Sequence, residues 1–489
     1  MDTKQAANIG FERQHAVVIG ASLAGLLAAR VLSAHFGRVS VIERDRLPDG
    51  VAEHLDIPQG PYVHGLLGGA VLMDIFPDLF STMVQEGPPL ASSSEVRWYH
   101  FGVWKAPLLI ERQVVYQSRP FLEQHVRTCL AARDNVWFID ACEVTGLCMQ
   151  DDQVAGVFLR YRDEEQYKEM LPATCVVDAS GRGSRTPQWL AHLGYGRVQE
   201  SSVTVDASYA TRIYRPPDPL PRDWKMMIVN GTPPDERRGG FLFPLHDGNW
   251  MVTLAGMFGD DPPDDERGFL EYARGLPVPD LYETIKEAEP VTAIVTYRCA
   301  ANQRRYYERL SRLPAGFVVM GDALCSFNPI FGQGMNIAAL EATLLDTFLR
   351  EQQSRAMPCR GHAWTTRFQK ALASVVQAPW KLASGDDFRY PEAQGKRPFG
   401  TRLFNWYMRR IHELMASYPL VTLRGYEVLQ LHKPLSALFE PRIVWAVMMQ
   451  ELASRLPNPG AEIALTTDKT NSLENSRTTH ARLASHQLD

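Results

Sequence analysis

"HAVVIGASLAGLLAARVLSAHFGRVSVIERD", residues 15 to 45, reads as a strand, a tight turn, a helix and a second strand. Leu23, Leu26, Leu27, Val31 and Leu32 recur near the helical period, and "RVSVIE" is β-branched. "GASLAG" (Gly20 to Gly25) stands where a G-x-G-x-x-G fingerprint would, straight after a strand and opening a helix. Gly20 permits the turn, and Gly25 lets helix and strand close up. The helix start at Leu23 and Ala24 offers free N–H groups and partial positive charge to a pyrophosphate. Ser22 replaces the middle glycine with a small side chain that can itself donate a hydrogen bond. Glu43, 23 residues after Gly20, is placed to accept from ribose hydroxyls. The unit predicts dinucleotide binding and does not distinguish NAD from FAD.

Around this unit the composition is that of a globular chain. Of 489 residues 45% are hydrophobic and 22% charged, and a net charge of -5 argues against a phosphate-backbone partner, so no nucleic acid is expected. Seven cysteines without a CxxC pair fit a reducing compartment better than a disulfide framework. The first 15 residues lack an apolar h-region, and no stretch reaches the ~18 apolar residues of a membrane span. The expectation is a cytoplasmic protein with no transmembrane segment.

Short strands, "CVVDASG", "SYATRIYR", "GGFLFPL" and "NWMVTLAG", predict a mixed or antiparallel sheet in the middle of the chain. "SRPFLEQHVR" starts a helix with proline in its first turn. After Ala342 the pattern is helical to about Leu456, and residues 458–489 are polar enough to read as a disordered tail. A second decisive stretch is "VVMGDALCSFNPIFGQGMNIAALEA", residues 318 to 342, where an acid, a proline and two glycines separate a β-branched run from a helix.

Here the chain resembles the FAD-dependent monooxygenases of the aromatic-hydroxylase type. Their second flavin signature is an apolar strand ending in Gly-Asp, then a proline loop with glycines leading into a helix. Gly321, Asp322, Pro329, Gly332, Gln333, Gly334, Met335 and Asn336 occupy those positions. The resemblance implies that Asp322 binds the ribityl chain of FAD and that the loop passes along the isoalloxazine. The helix N-terminus would then face the reduced ring with roughly half a positive charge. "VVDASGRGSR" resembles the family's middle motif, with Asp178 and Arg185 in place and Ala179 where a glycine is usual. It implies Asp178 at FAD and Arg185 at the nicotinamide coenzyme. By the same resemblance Arg119 contacts the diphosphate or ribityl region, the Val144 backbone touches adenine and Arg44 lies over it.

Phrases such as "VIERDRLP", "PQGPYVHGLL" and "ANQRRYYERL" bring the chain nearest to the bacterial epoxidases of polyether biosynthesis, of the lasalocid and monensin type, which also resemble squalene epoxidase. One departure is Pro61 and Tyr62 where relatives carry Arg-His, with His64 retained. The resemblance implies an α/β fold: a Rossmann-like FAD-binding domain (12–75, 111–190, 301–355) interwoven with a mixed or antiparallel-sheet substrate domain (76–110, 191–300), followed by a C-terminal helical region (356–457).

The implied activity is FAD- and NAD(P)H-dependent transfer of one oxygen atom from O2, through a flavin C4a-hydroperoxide, to an apolar biosynthetic intermediate, free or carrier-tethered. The flavin carries that chemistry, so no catalytic residue and no metal is assigned. Phe241, Phe243, Trp250 and Met251 are candidates for the substrate slot. Two alternatives share the fold: a reductase or desaturase of the geranylgeranyl-reductase kind, and a silent flavin-binding protein. A halogenase is disfavoured because no W-x-W-x-I-P segment occurs.

Overall fold

The computed structural model describes residues 14–48, 75–77, 79–85, 90–108, 113–162, 168–217, 223–354 and 361–455. The loop carrying Pro61, Tyr62 and His64, Cys359 and the 458–489 tail lie outside them. Two compact units are present, one ending at Ala437 and one beginning at Leu438; the second holds the helix Pro441–Arg455.

The first strand–helix–strand unit forms as its pattern demands. His15–Ile19 and Arg38–Ile42 pair in parallel, joined through the helix Leu23–Leu32. They are the centre of a five-stranded sheet whose order runs Phe317–Val319, Cys175–Asp178, His15–Ile19, Arg38–Ile42, Val136–Ile139, every neighbouring pair parallel. Parallel strands covered on both faces need apolar side chains on both, and Val17, Val18, Val176, Val177 and Val318 are all fully buried. Cys175–Asp178 belongs to this sheet and not to the central mixed one.

The central sheet is mixed and nine-stranded, built round the 16-residue strand Glu200–Arg215, which pairs antiparallel with Trp250–Met257 on one side and Val295–Arg305 on the other. Gly239–Pro244 and Met226–Asn230 continue it, and Val96–His100 joins in parallel. One face carries the helices Glu266–Arg274 and Asp280–Ile285 on Leu242, Val252 and Leu254; the other holds Phe241, Phe243, Met251 and Met257. Cys142, Cys175, Cys299 and Cys325 are buried and unbridged, so they act as small packing side chains.

Candidate active site

The parallel sheet ends in register: Ile19 lies opposite Ile42 and Asp178, Ile42 opposite Ile139, and Asp178 opposite Val319. The chain therefore turns at one edge of the sheet after each strand, and loops some 300 residues apart in sequence meet there. Gly20, at φ +102°, has no room for a side chain, since a Cβ would stand 2.6 Å from the Ala179 carbonyl oxygen. A Cβ on Gly25 would fall inside the Gly20 carbonyl oxygen. Gly321, at φ +61°, abuts Ala24, whose Cβ would lie 2.7 Å from one added there. The two glycine signatures thus touch.

Polar groups fill this edge. Glu43 accepts from the Ala21 N–H at 2.8 Å and the Asp45 N–H at 3.1 Å. Arg119, in the first turn of the helix Arg119–Ala131, donates to the Ser22 hydroxyl and pairs with Glu123 at 2.9 Å. That helix starts as its sequence predicts, with Ser118 capping the Phe121 N–H. Asp178 is fully buried and accepts from Ser180, Ser184 and Thr186 side chains at 2.5–2.6 Å, so both its oxygens are committed within its own segment. It shapes the turn and presents no free oxygen to a ligand. Val144 is buried, whereas Arg44 and Arg185 are largely exposed, paired with Asp45 and Glu143.

Asp322 is accessible to solvent although Gly321 and Ala323 beside it are buried. Protein atoms nonetheless crowd round it. Desolvation there pushes its carboxyl up, against the opposing pull of Arg182 and Arg119. Arg182, unremarked in the sequence, donates to the Ala301 carbonyl and, at 3.3 Å, to the Phe327 carbonyl. It therefore joins the middle motif to the central sheet and to the flavin-type loop. Its place inside "SGRGSR", three residues before Arg185, is the sequence signal for it.

Asn328 caps the short 3-10 turn Pro329–Phe331, after which Gly332 at φ +60° reverses the chain into the 21-residue helix Gly334–Ser354. Nothing lies within 4 Å of where a Cβ on Gly332 or Gly334 would stand, so this backbone offers a bare face. Gln333 is tied to the Leu429 carbonyl at 3.0 Å.

Pro329, Ile330, Phe331, Gly332, Gln333, Met335 and Asn336 line a cavity of about 280 Å³. Phe241, Phe243 and Met257 from the central sheet complete it, with Phe404, Met408 and His412 from the helix Thr401–Leu414 and Tyr426 from Pro419–Leu429. Met251, the cross-strand partner of Phe243, is buried in the same cluster without lining the cavity. Trp250, one residue out of phase, packs on the opposite face of the sheet. The C-terminal helices supply a wall that the sequence left open among several roles.

No protein-family model matches the chain. It is 32% identical over 441 residues to Protein Rv3254 of Mycobacterium tuberculosis, covering 84% of this chain and 92% of the relative. Kynurenine 3-monooxygenase of Salinispora tropica is 26% identical over 70% of this chain and 74% of that one; mouse squalene monooxygenase is 25% identical over 68% and 54%. Among solved structures, flavin-dependent brominase Bmp2 superposes with a TM-score of 0.62 at 13% identity, covering 91% of this chain and 100% of that one. The p-nitrophenol 4-monooxygenase PnpA of Pseudomonas putida DLL-E4 does so at 0.60 and 16%, covering 86% and 99%. Both share its fold. The chain belongs to the same family as Protein Rv3254 and, by the monooxygenases that align along it, is an enzyme of the FAD-dependent monooxygenase kind.

Proposed function

We propose that the protein uses FAD, NAD(P)H and O2 to insert one oxygen atom into a largely apolar small molecule, by epoxidation or hydroxylation of a polyketide- or terpenoid-like intermediate. The observation that carries this is the bare Gly332–Gly334 backbone, which borders the apolar cavity on one side and leads back to the Gly321–Asp322 turn on the other.

The residues suit FAD. Gly20, Ser22, Leu23, Ala24, Gly25 and Arg119 would hold the pyrophosphate, Glu43 the adenosine ribose, with Arg44 and the Val144 backbone near adenine. Gly321 and Asp322 would hold the ribityl chain, and Pro329 to Asn336 would back the ring. An accessible carboxylate beside buried Gly321 matches a hydroxylated chain, and glycines whose Cβ would meet nothing match a flat ring. Asp178 acts one step behind them, through the turn it organises. Arg185 is exposed enough to meet a visiting coenzyme.

Bound FAD supplies the activation of O2 after reduction. The chain's own part is to orient the substrate and exclude water, through Phe241, Phe243, Met257, Ile330 and Met408. The squalene monooxygenase match supports kinship to the polyether epoxidases. The division into interwoven FAD-binding and substrate domains is part of the same proposal, supported by the parallel sheet, the mixed sheet and the cleft between their loops.

The test is turnover under ¹⁸O2 with NADH or NADPH and a panel of alkenes and hydroxyarenes. Incorporation of one ¹⁸O atom into product is expected. Reduced or desaturated product without ¹⁸O would replace this reading with the hydride-transfer alternative, and coenzyme oxidation with no product from any substrate would leave a silent flavin protein.

A further inference from the structure

Apolar side chains make up most of the cavity wall, and its charged groups are paired within the chain, Arg237 with Glu392, Arg238 with Asp260, Asp386 with Arg389, Asp387 with Asn302 and Glu427 with Arg424; a pair of imidazoles without such partners stands where the strand Val96–His100 meets the helix Thr401–Leu414. His100 and His412 both line it there, and both are more than nine-tenths buried. Their rings lie edge to face with centroids 4.8 Å apart; Phe101 stacks on His100 at 4.0 Å, and Trp98 meets His412 at 5.6 Å. Lys105 Nζ, whose pKa burial lowers to about 7, donates to the His100 carbonyl and to the His412 carbonyl, each at 2.7 Å, so one amino group ties the two backbones together. The rings are fixed by packing from below and at their sides.

A core histidine is normally satisfied by hydrogen bonds. These two are not: Nδ1 of each is buried without a partner, and among the described residues no hydrogen bond reaches either ring. A neutral imidazole carries one N–H and one lone pair. Burying an N–H where nothing can accept it is the worse choice, which places the proton of each ring on Nε2, the nitrogen left to the cavity. Burial keeps both rings neutral, holding each well below the usual histidine range, reinforced by Lys105 and Arg389 nearby. The lasting positive charge of Arg389 disfavours an ammonium guest. Arg389 is itself committed to Asp386 at 2.6 Å and to the Asn405 carbonyl at 2.8 Å, so it does not answer the histidines.

We propose that His100 and His412 form a hydrogen-bond-donating subsite that takes an acidic oxygen, a carboxylate or a phenolate, at one end of an otherwise apolar substrate. This rests on the cavity being the substrate site of the proposed monooxygenase. It sharpens that reading: a pure hydrocarbon would leave both donors unanswered, so the substrate of this enzyme carries oxygen before the reaction begins. The two histidines are specificity-determining residues; the oxygen atom they hold is not the one inserted.

Calorimetric titration of the FAD-loaded full-length protein with naphthalene, 1-naphthol and 1-naphthoate tests this. At least one of the oxygenated probes is expected to bind about tenfold or more tighter than naphthalene, as donated hydrogen bonds to a charged or acidic oxygen imply. Which of the two does so separates phenol from carboxylate. His100→Leu and His412→Leu should each shrink that ratio severalfold while naphthalene affinity, the internal check on folding, changes less than threefold. His412→Asn, which keeps an N–H, should retain part of it. Equal binding of all three probes, no binding of any, or a ratio that survives both leucine variants would overturn the proposal. Loss of ¹⁸O transfer with the ratio intact would instead count against the monooxygenase reading alone.

Discussion

Replacing Glu123 with glutamine tests whether the first helix is an anion site. Glu123 reaches from the helix Arg119–Ala131 to accept from the Leu23 N–H at 3.1 Å and the Ser22 hydroxyl at 2.9 Å, with Arg119 Nε at 2.9 Å. One carboxylate oxygen therefore already uses the donors that a pyrophosphate would use. On the proposed placement of the pyrophosphate, incoming FAD would displace it. A hydrogen bond to a charged partner contributes ~1.5–3 kcal/mol and a neutral one ~1 kcal/mol. Exchanging carboxylate for amide then lowers the displacement cost by about 0.5–2 kcal/mol, a roughly 2- to 30-fold fall in the Kd for FAD. The measurement is FAD fluorescence quenching on the apoprotein at fixed ionic strength, and the gain should shrink as salt rises. If Glu123→Gln binds FAD more weakly than the parent, Glu123 serves the site by holding Arg119, and the reasoning is refuted.

Three further predictions follow from buried groups. Glu341 is fully buried, accepts the Gly321 N–H at 2.6 Å, and is pushed by desolvation up to about 8. The folded state holds that proton more tightly than the unfolded one, so stability falls as pH rises from the ordinary carboxylate range to about 8. Glu341→Gln should remove that slope, gaining on the order of 4 kcal/mol at pH 8 and little at pH 4.5, read from urea melts at both pH values; equal effects at both would sink the idea. Asp387 accepts from the Asn302 amide, whose oxygen takes the Asn328 N–H, and Asn328 in turn accepts from the Tyr209 hydroxyl. Burial raises the Asp387 carboxyl well above its usual range, which favours its neutral form. Asp387→Asn should cost under ~1 kcal/mol and Asp387→Leu ~2–4 kcal/mol with weakened FAD binding, because the leucine orphans the relay behind the Asn328 turn; similar losses for both variants would contradict this. Gly25→Ala should fail to fold or lose more than ~3 kcal/mol by thermal melting, since its Cβ coincides with the Gly20 carbonyl; a variant as stable as the parent would show that helix and strand can separate.

Much of the site is legible before folding because its parts are local. A strand that must turn within three residues into a helix needs Gly20 and Gly25 whatever surrounds it, and the Asn-Pro turn before Gly332 declares itself in the same way. Arg119 is announced by Ser118 and Pro120, which start its helix. Asp178 was legible as a motif residue, but its partners, Ser180, Ser184 and Thr186, turn out to absorb its oxygens. Trp250 was assigned to the slot by its company in an apolar run, and the strand's alternation put it on the other face.

The chain by itself therefore determined the strand–turn–helix units and the Gly-Asp turn, because backbone freedom and 2.0- or 3.6-residue periods act over a few neighbours; FAD in particular was implied by the family resemblance. Only the tertiary structure decided what those units face. Parallel pairing in a common register brought loops 300 residues apart to one edge, and no local rule fixes that register. The wall opposite the flavin-type loop is made by helices whose apolar and basic residues suit many roles. Until Lys105 ties the His100 and His412 backbones together, two histidines 312 positions apart carry no pattern at all. Their chemistry exists only where packing removes every other partner.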